Sequence, residues 1–335
     1  MVLETARHLR ARGVDARVLT TGPSGLREHE GIPTDRLPIP RYAFNLAFPQ
    51  VAARAASCDL VQTFTYHGCL PAWIGGRLLG KPVVCQVLGL FRDAWLEMAG
   101  PIRGRLWRGI EAYLVRRPYA RVLFISEYSR REGLALGVRP ERAALTEPGI
   151  DLAAYRADLP KTHDVLFVGK LDARKGIQDV LEVARALPGL RFRAHGWGPE
   201  NEAIRRSAPP NLALVPFEGG APLREAFARA RVFLFPSRAE TFGIAIVEAM
   251  ASGCAVVSSV PLEYAGARVR PGDIPAMVEA VSRLSADPAE AARLGARNAA
   301  LAQAYTWDRY TDQLLAVYDE VLRSSRRGPT ERARS

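Results

Sequence analysis

The chain has 335 residues, of which 48% are hydrophobic and 24% are charged, a composition typical of a soluble globular protein with one large or two ordinary domains. It contains no apolar run long enough for a membrane span and no signal-peptide core near its start, so we expect a cytoplasmic protein. The formal net charge is +11, but arginine supplies most of the positive charge and no aromatic-basic motif accompanies it, so we expect no nucleic-acid partner.

The first half of the chain alternates predicted helices and strands, which indicates a parallel α/β domain. Helices are predicted at residues 2–12, 72–79, 102–117 and 127–136, and strands at residues 14–20, 60–64, 82–88 and 122–126. A Rossmann-like domain normally opens on its central strand and a glycine-rich turn, whereas this chain opens on a helix. We therefore expect the first domain to lack its N-terminal strand, which leaves a gap in the sheet and two unpaired strand edges.

A second α/β series follows a linker at residues 158–163. Its strands are predicted at residues 165–168, 190–195, 212–216, 232–235 and 255–258, and its helices at residues 176–186, 200–206, 223–228, 244–251, 275–285 and 288–304. We therefore predict two Rossmann-like domains, at residues 1–157 and 164–304, followed by a helix at residues 305–323 and a disordered tail at residues 324–335.

The loop at residues 169–176 is the first candidate binding segment. It carries Lys170 and Lys175 between the end of a predicted strand and the start of a helix. Two cations beside a helix N-terminus would neutralise a diphosphate without a metal ion. A solvated basic turn is the alternative, and on spacing alone it is the commoner explanation.

Two acids, Glu240 and Glu248, flank the start of the predicted helix at residues 244–251. Glu248 lies inside this apolar helix, and no Lys or Arg stands one helical turn away from it. Burying an unpaired carboxylate is energetically unfavourable. Glu248 is therefore expected either to reach solvent or to bind a polar ligand. Glu240 alone is better explained as an acid placed favourably near a helix start.

Together these segments resemble the GT-B glycosyltransferases of family 4, a retaining group that uses nucleotide sugars. The resemblance implies two Rossmann-like domains that face a cleft, with residues 305–323 crossing back to the first domain. The matching segments are residues 167–171 with 175–176, the Gly-x-Gly-Pro turn at 195–200, the E-x7-E segment at 236–253, the turn at 270–273, and residues 306–307.

The resemblance also implies roles for individual residues. Lys175 would hold the donor diphosphate with help from Lys170. Glu248 would bind the nucleotide ribose, and Glu240 would lie beside the transferred sugar, which makes Lys175 and Glu240 the expected catalytic residues. The remaining residues expected to contact the donor are Gly169, Thr241, Phe242, Gly243 and Ile244.

The implied activity is the metal-independent transfer of a hexose from a UDP- or GDP-sugar to an acceptor hydroxyl with retention, in cell-surface glycan or glycolipid synthesis. No cofactor is expected, because the nucleotide sugar is a co-substrate. The alternative is a degenerate, non-catalytic GT-B protein that binds a nucleotide or a partner. Two departures favour this alternative: the missing first strand, and Leu88 where the family often has a histidine. Nearby His67 does not occupy that position.

The basic segment at residues 100–117 bears on the acceptor. Its apolar residues Leu106, Trp107, Ile110 and Leu114 recur at helical spacing. Such a helix could lie on an anionic membrane and reach a lipid-linked acceptor, which would make the protein peripheral to the inner face of the membrane. A helix packed on the core, with a solvated arginine face, is the alternative.

Overall fold

The computed structural model describes residues 1–198 and 201–326, which form two compact α/β units. The first unit contains residues 1–149 together with the chain from Trp307 onwards, and the second contains residues 150–306. The division at Gly149 precedes the predicted linker. The predicted tail is helical as far as Arg326, and the rest of it lies outside the described residues.

The regular elements are numbered in chain order. The strands are β1 (Val18–Thr21), β2 (Glu28–His29), β3 (Ile32–Leu37), β4 (Val61–Phe64), β5 (Val83–Val87), β6 (Arg121–Phe124), β7 (Ala143–Leu145), β8 (His163–Val168), β9 (Phe192–Gly196), β10 (Leu212–Pro216), β11 (Ala230–Phe235), β12 (Ala255–Ser258) and β13 (Gly266–Arg268). The helices are α1 (Val2–Ala11), α2 (Phe48–Ala55), α3 (Cys69–Leu78), α4 (Ala94–Val115), α5 (Glu127–Ala135), α6 (Ile177–Ala186), α7 (Asn201–Ser207), α8 (Ala221–Arg229), α9 (Ile244–Ala251), α10 (Ile274–Ala286), α11 (Pro288–Ala302) and α12 (Trp307–Arg326). None of these described helices combines the length and apolar character that crossing a membrane requires.

The second unit is built on one parallel sheet of six strands in the order β10-β9-β8-β11-β12-β13. Its central strands β8 and β11 are buried along most of their length, as apolar strands of a parallel sheet covered on both faces should be. The chain adds strands outward from β8 to β10 and then returns to β11. The strand order therefore reverses between β8 and β11, and doubly wound sheets bind ligands at the carboxyl ends of strands at such a switch point.

The first unit holds two separate sheets, one ordered β1-β3-β2 and one ordered β4-β5-β6-β7. Within the described residues β1 pairs only with β3, and β4 pairs only with β5, so each of these strands has one unpaired edge. Apolar side chains of α1 and α12, including Leu9 and Leu314, share one core cluster with Val84 of the larger sheet. The gap and the two unpaired edges expected from the sequence are therefore present.

The structure departs from the sequence prediction mainly in this first unit. Helix α4 begins at Ala94 rather than at residue 102, and it passes through a kink at Gly100, where a φ of 77° takes the backbone out of helical geometry before Pro101. Between the predicted strands at 14–20 and 60–64, the chain also forms β2, β3 and α2. These elements are short, so the periodicity that predicts an element has little length in which to show.

Candidate functional site

The loops that follow β8 and β11 meet at the switch point of the second unit. The carbonyl oxygen of Arg174 accepts hydrogen bonds from the backbone N–H of Arg238 at 2.8 Å and from the hydroxyl of Ser237 at 3.2 Å. Gly176 adopts a left-handed φ of 76°, and a Cβ there would lie 2.3 Å from the carbonyl oxygen of Pro236. Only glycine fits such a position, and these contacts hold the two loops in one arrangement.

This arrangement brings Lys175 and Glu240 into direct contact. The Lys175 ammonium donates a hydrogen bond to Oε2 of Glu240, although the two residues lie far apart in the sequence. The side chains are 16% and 18% exposed, so the pair is largely shielded from water. The other carboxylate oxygen of Glu240 accepts from the backbone N–H of Thr241 at 3.2 Å. A cation and an acid with separately predicted roles therefore form one ion pair.

Lys170 lies further out on the first loop. Its ammonium is 3.7 Å from Oδ2 of Asp172. Asp172 also accepts a hydrogen bond from the backbone N–H of Lys175 at 3.1 Å and so caps the short turn that carries this lysine. Lys170 is therefore an exposed cation at the edge of the site, whereas Lys175 is largely buried within it.

Helix α9 starts beside the ion pair. Gly243 has a left-handed φ of 92° and precedes the first helical residue, Ile244, with no side-chain cap. The first N–H groups of a helix have no partners within it, so this end of α9 can accept an anion. Phe242 is buried and packs edge-on against Tyr305 with ring centroids 5.6 Å apart, which fixes the loop that leads into the helix.

Glu248 has a partner that the sequence analysis missed. The hydroxyl of Tyr155 donates a hydrogen bond to Oε1 of Glu248 at 2.6 Å. Burial raises the pKa of Glu248 above its usual value, and the bond from Tyr155 partly opposes this rise. Tyr155 precedes Glu248 by 93 positions. No short-range spacing could have indicated this contact.

The glycine-rich turn after β9 packs on the loop that follows β8. A Cβ at Gly196 would lie 2.2 Å from the carbonyl oxygen of Gly169, and the backbone N–H of Leu171 donates to the carbonyl of Trp197 at 2.7 Å. Burial lowers the pKa of the adjacent His195 to about 4, so its ring is neutral near pH 7. The predicted motif continues at Pro199 and Glu200, which lie outside the described residues.

In the first unit, Leu88 lies in the loop after β5. The buried carboxylate of Glu111, on α4, holds the next part of this loop. It accepts hydrogen bonds from the backbone N–H groups of Phe91 at 2.9 Å and Arg92 at 2.8 Å, and from the hydroxyl of Tyr66 at 2.6 Å. Glu111 could not be singled out from the sequence, because nothing there distinguishes it from a surface acid of a basic helix.

His67 takes part in a local contact in the first unit. Its Nδ1 lies 3.1 Å from the side-chain nitrogen of Asn45, and its ring packs edge-on against Tyr42. Burial, and secondarily the charge of Arg41, lower the pKa of His67. These contacts account for the histidine without a substrate.

The apolar stripe predicted on α4 divides between the core and the surface. Leu106 is 60% exposed, but Leu114 is only 6% exposed and belongs to the core of the first unit. Ile110 is half-buried against that core, and Trp107 packs on Trp95. The predicted stripe is therefore wrong as a surface feature. The exposed apolar side chains on this helix are instead those of Met98, Ile102, Leu106 and Tyr113.

Comparisons with known sequences agree with this organisation. The family model described as "Glycosyl transferase 4-like domain" matches residues 1–149, and the model described as "Glycosyl transferases group 1" matches residues 162–287. A D-inositol 3-phosphate glycosyltransferase from Mycobacterium avium is 26% identical, over 98% of this chain and 90% of its own length. One from Catenulispora acidiphila is also 26% identical, over 98% of this chain and 91% of its own length.

Solved structures share the fold of the whole chain. A sucrose-phosphate synthase from Thermosynechococcus elongatus superimposes with a TM-score of 0.77 at 20% identity, covering 96% of this chain and 93% of its own. Anabaena HepE, solved in complex with UDP-glucose, gives a TM-score of 0.77 at 17% identity and covers 95% of each chain. These structural neighbours are GT-B glycosyltransferases, and the fold predicted from the sequence is confirmed.

Proposed function

The chain belongs to the group 1 glycosyl transferases, and we propose that it moves a hexose from a UDP- or GDP-sugar to an acceptor hydroxyl with retention at the anomeric carbon. The observation that carries this proposal is the Lys175–Glu240 pair beside the start of α9, at the ligand-binding edge of the second sheet. Together, the ion pair and the helix start supply a cation, an acid and backbone N–H groups within one small site.

Donor binding involves an exchange of partners at Lys175. Its ammonium leaves the carboxylate of Glu240 for the donor diphosphate, and the N–H groups at the start of α9 bind the same anion. Lys170 adds charge from the exposed side. Glu240 is then free to accept a hydrogen bond from a hydroxyl of the transferred sugar. Glu248, held by Tyr155, accepts hydrogen bonds from the ribose.

The transfer step follows from the same arrangement. The bond between the anomeric carbon and the phosphate oxygen breaks, and the acceptor oxygen attacks that carbon from the same face. The acceptor proton passes to an oxygen of the departing diphosphate. Lys175 and the start of α9 stabilise the negative charge that develops on the diphosphate, so the reaction proceeds without a metal ion.

We place the acceptor with the first unit, near the exposed apolar side chains of α4. Ile102 is 81% exposed, and the exposed arginines Arg103 and Arg105 lie nearby on the same helix. Apolar and basic side chains together favour an anionic membrane surface, so we propose a cytoplasmic enzyme, peripheral at the inner face, that glycosylates a lipid-linked acceptor. The names of the relatives from Mycobacterium avium and Catenulispora acidiphila make D-inositol 3-phosphate a soluble acceptor worth testing first.

The deciding experiment measures sugar release and transfer from UDP-glucose, other UDP-sugars and GDP-sugars. Lys175→Ala and Glu240→Ala should each lower both rates by about a hundredfold or more, because each removes a group that contacts the donor. The matched control is Arg185→Ala with Glu182→Ala, an exposed ion pair on α6 that should leave the rates unchanged. Rates near wild type in either site variant would overturn the assignment.

The same measurements address the non-catalytic alternative, which Leu88 in the first unit favours. Donor binding with neither hydrolysis nor transfer, across all donors and acceptors offered, would identify a nucleotide-binding protein rather than an enzyme. Binding is measured as the rise in melting temperature with each nucleotide sugar, and Lys175→Ala should remove that rise.

A further inference from the structure

A cavity lies in the first unit, at the edge of the larger sheet where its strands begin. Its volume is about 460 Å³, and its lining includes Val83 and Arg121, the first residues of β5 and β6, and Arg142, which immediately precedes β7. Substrates of doubly wound sheets bind at the opposite edge, where the strands end. This cavity is therefore separate from the edge that serves donor or acceptor chemistry.

The charge of the cavity wall is of one sign. Among the described residues, four cationic side chains, Arg77, Lys81, Arg121 and Arg142, line it, and no carboxylate does. Arg121 is paired with Glu320 on α12, but no ion pair in the described part of the chain involves the other three. A concave wall with unpaired charges of one sign concentrates the positive potential and attracts an anion.

The chemistry of the wall narrows the class of anion. Guanidinium groups form paired hydrogen bonds with phosphate oxygens as they do with carboxylates, and the four positive charges of the lining favour the more highly charged phosphate. The buried side chains of Tyr119 and Val321, together with Trp73, add apolar surface to the lining. The volume lies in the range of small-molecule sites. These features suit a phosphate group that carries a small organic part.

We propose that this cavity binds a small phosphorylated anion, as an effector or an anchoring group distinct from the sugar donor. Because β5 runs from the cavity to the loop that contains Leu88, an occupant would contact the strand that supports this loop. The site is independent of the proposed donor site, which belongs to the second unit.

The test uses the full chain with Lys175→Ala, so that the proposed donor site does not contribute. Inorganic pyrophosphate is titrated calorimetrically into this protein and into the same protein with Arg77→Gln and Arg142→Gln. We expect these two changes to weaken binding by about tenfold or more, because both remove phosphate ligands. Arg27→Gln with Arg131→Gln is the matched control, since it removes the same charge from exposed positions of the same unit.

A melting temperature within the range of the control confirms that the lining variant is folded. No binding of pyrophosphate, or an equal loss of affinity in the lining and control variants, would overturn the proposal.

A second arm identifies the source of the phosphate. Vesicles of phosphatidylcholine with phosphatidic acid are sedimented with the same proteins. If sedimentation with the vesicles depends on Arg77 and Arg142, the site binds a lipid phosphate. If the protein binds pyrophosphate but its sedimentation does not depend on these two arginines, the site binds a soluble ligand.

Discussion

At the scale of single residues, the site depends on pairs that the chain brings together from distant positions. The resemblance to the GT-B family singles out Lys175 and Glu240, and the apolar helix around Glu248 singles out that acid from the sequence alone. Their partners could not be predicted, since the contact of Glu248 with Tyr155 depends on how the chain returns to α9. Sequence spacing carries information only within one element or one turn.

Tyr155→Phe tests the role of that contact. Loss of the hydroxyl removes a hydrogen bond to a charged group, worth about 1.5–3 kcal/mol, so the KM for the donor should rise by about tenfold or more while kcat changes less. Tyr264→Phe, which removes a hydroxyl bonded to the backbone of Ser258 in the same unit, is the control. An unchanged KM would show that Glu248 needs no orientation by Tyr155.

The same variant should alter the pH dependence of donor binding. The hydrogen bond from Tyr155 lowers the pKa of Glu248, whose burial raises it, so removing the hydroxyl should raise that pKa further. As the pH falls, the carboxylate form of Glu248 is then lost at a higher pH than in the wild type. The acidic limb of the plot of kcat/KM against pH should therefore move upward in Tyr155→Phe and stay in place in Tyr264→Phe.

At the scale of elements, prediction succeeded where apolar segments have clear ends. The predicted bounds of α9 and β12 match the structure, because glycines bracket this helix and the strand is uniformly apolar. Prediction was incomplete for α4, because the helical turns between Ala94 and the break at Gly100 were missed, whereas the run predicted from residue 102 follows that break. The direction that Leu106 and Leu114 face depends on the packing of α4, which spacing alone does not determine.

The exposed apolar side chains of α4 lead to a membrane-binding prediction. Ile102→Glu with Leu106→Glu should abolish sedimentation with anionic vesicles and leave sugar release in solution unchanged, because both side chains are exposed and outside the donor site. Leu26→Glu alters another exposed leucine of the first unit and should retain vesicle binding. Equal sedimentation of all these proteins would exclude α4 as the membrane-binding surface.

At the scale of the whole molecule, the two units have the same α/β design but unequal sheets. The second unit joins its six strands in one ladder, and its strand order reverses between two hydrogen-bonded strands, β8 and β11. In the first unit, the chain adds β3 beside β1 and then begins the other sheet with β4, so the unpaired edges lie where the order reverses.

Hydrogen exchange should report this difference. Backbone amides in β1 and β4 should exchange at least about tenfold faster than those of β11, which is paired on both sides. Mass spectrometry of peptides covering these strands provides the measurement, with β5, paired on both sides in the first unit, as the internal control. Similar protection of β1, β4 and β5 would indicate that something covers the open edges.

The gap also affects how the first unit loses its structure. No strand ladder joins the small sheet to the large one in the described residues, so only side chains, such as those of the cluster around Leu9 and Leu314, hold the two parts together. Residues 1–37 can therefore detach without breaking any hydrogen bond between the strands of the larger sheet. We expect mild denaturant to populate a partly unfolded form in which this segment is open to proteases while the six-stranded unit stays intact.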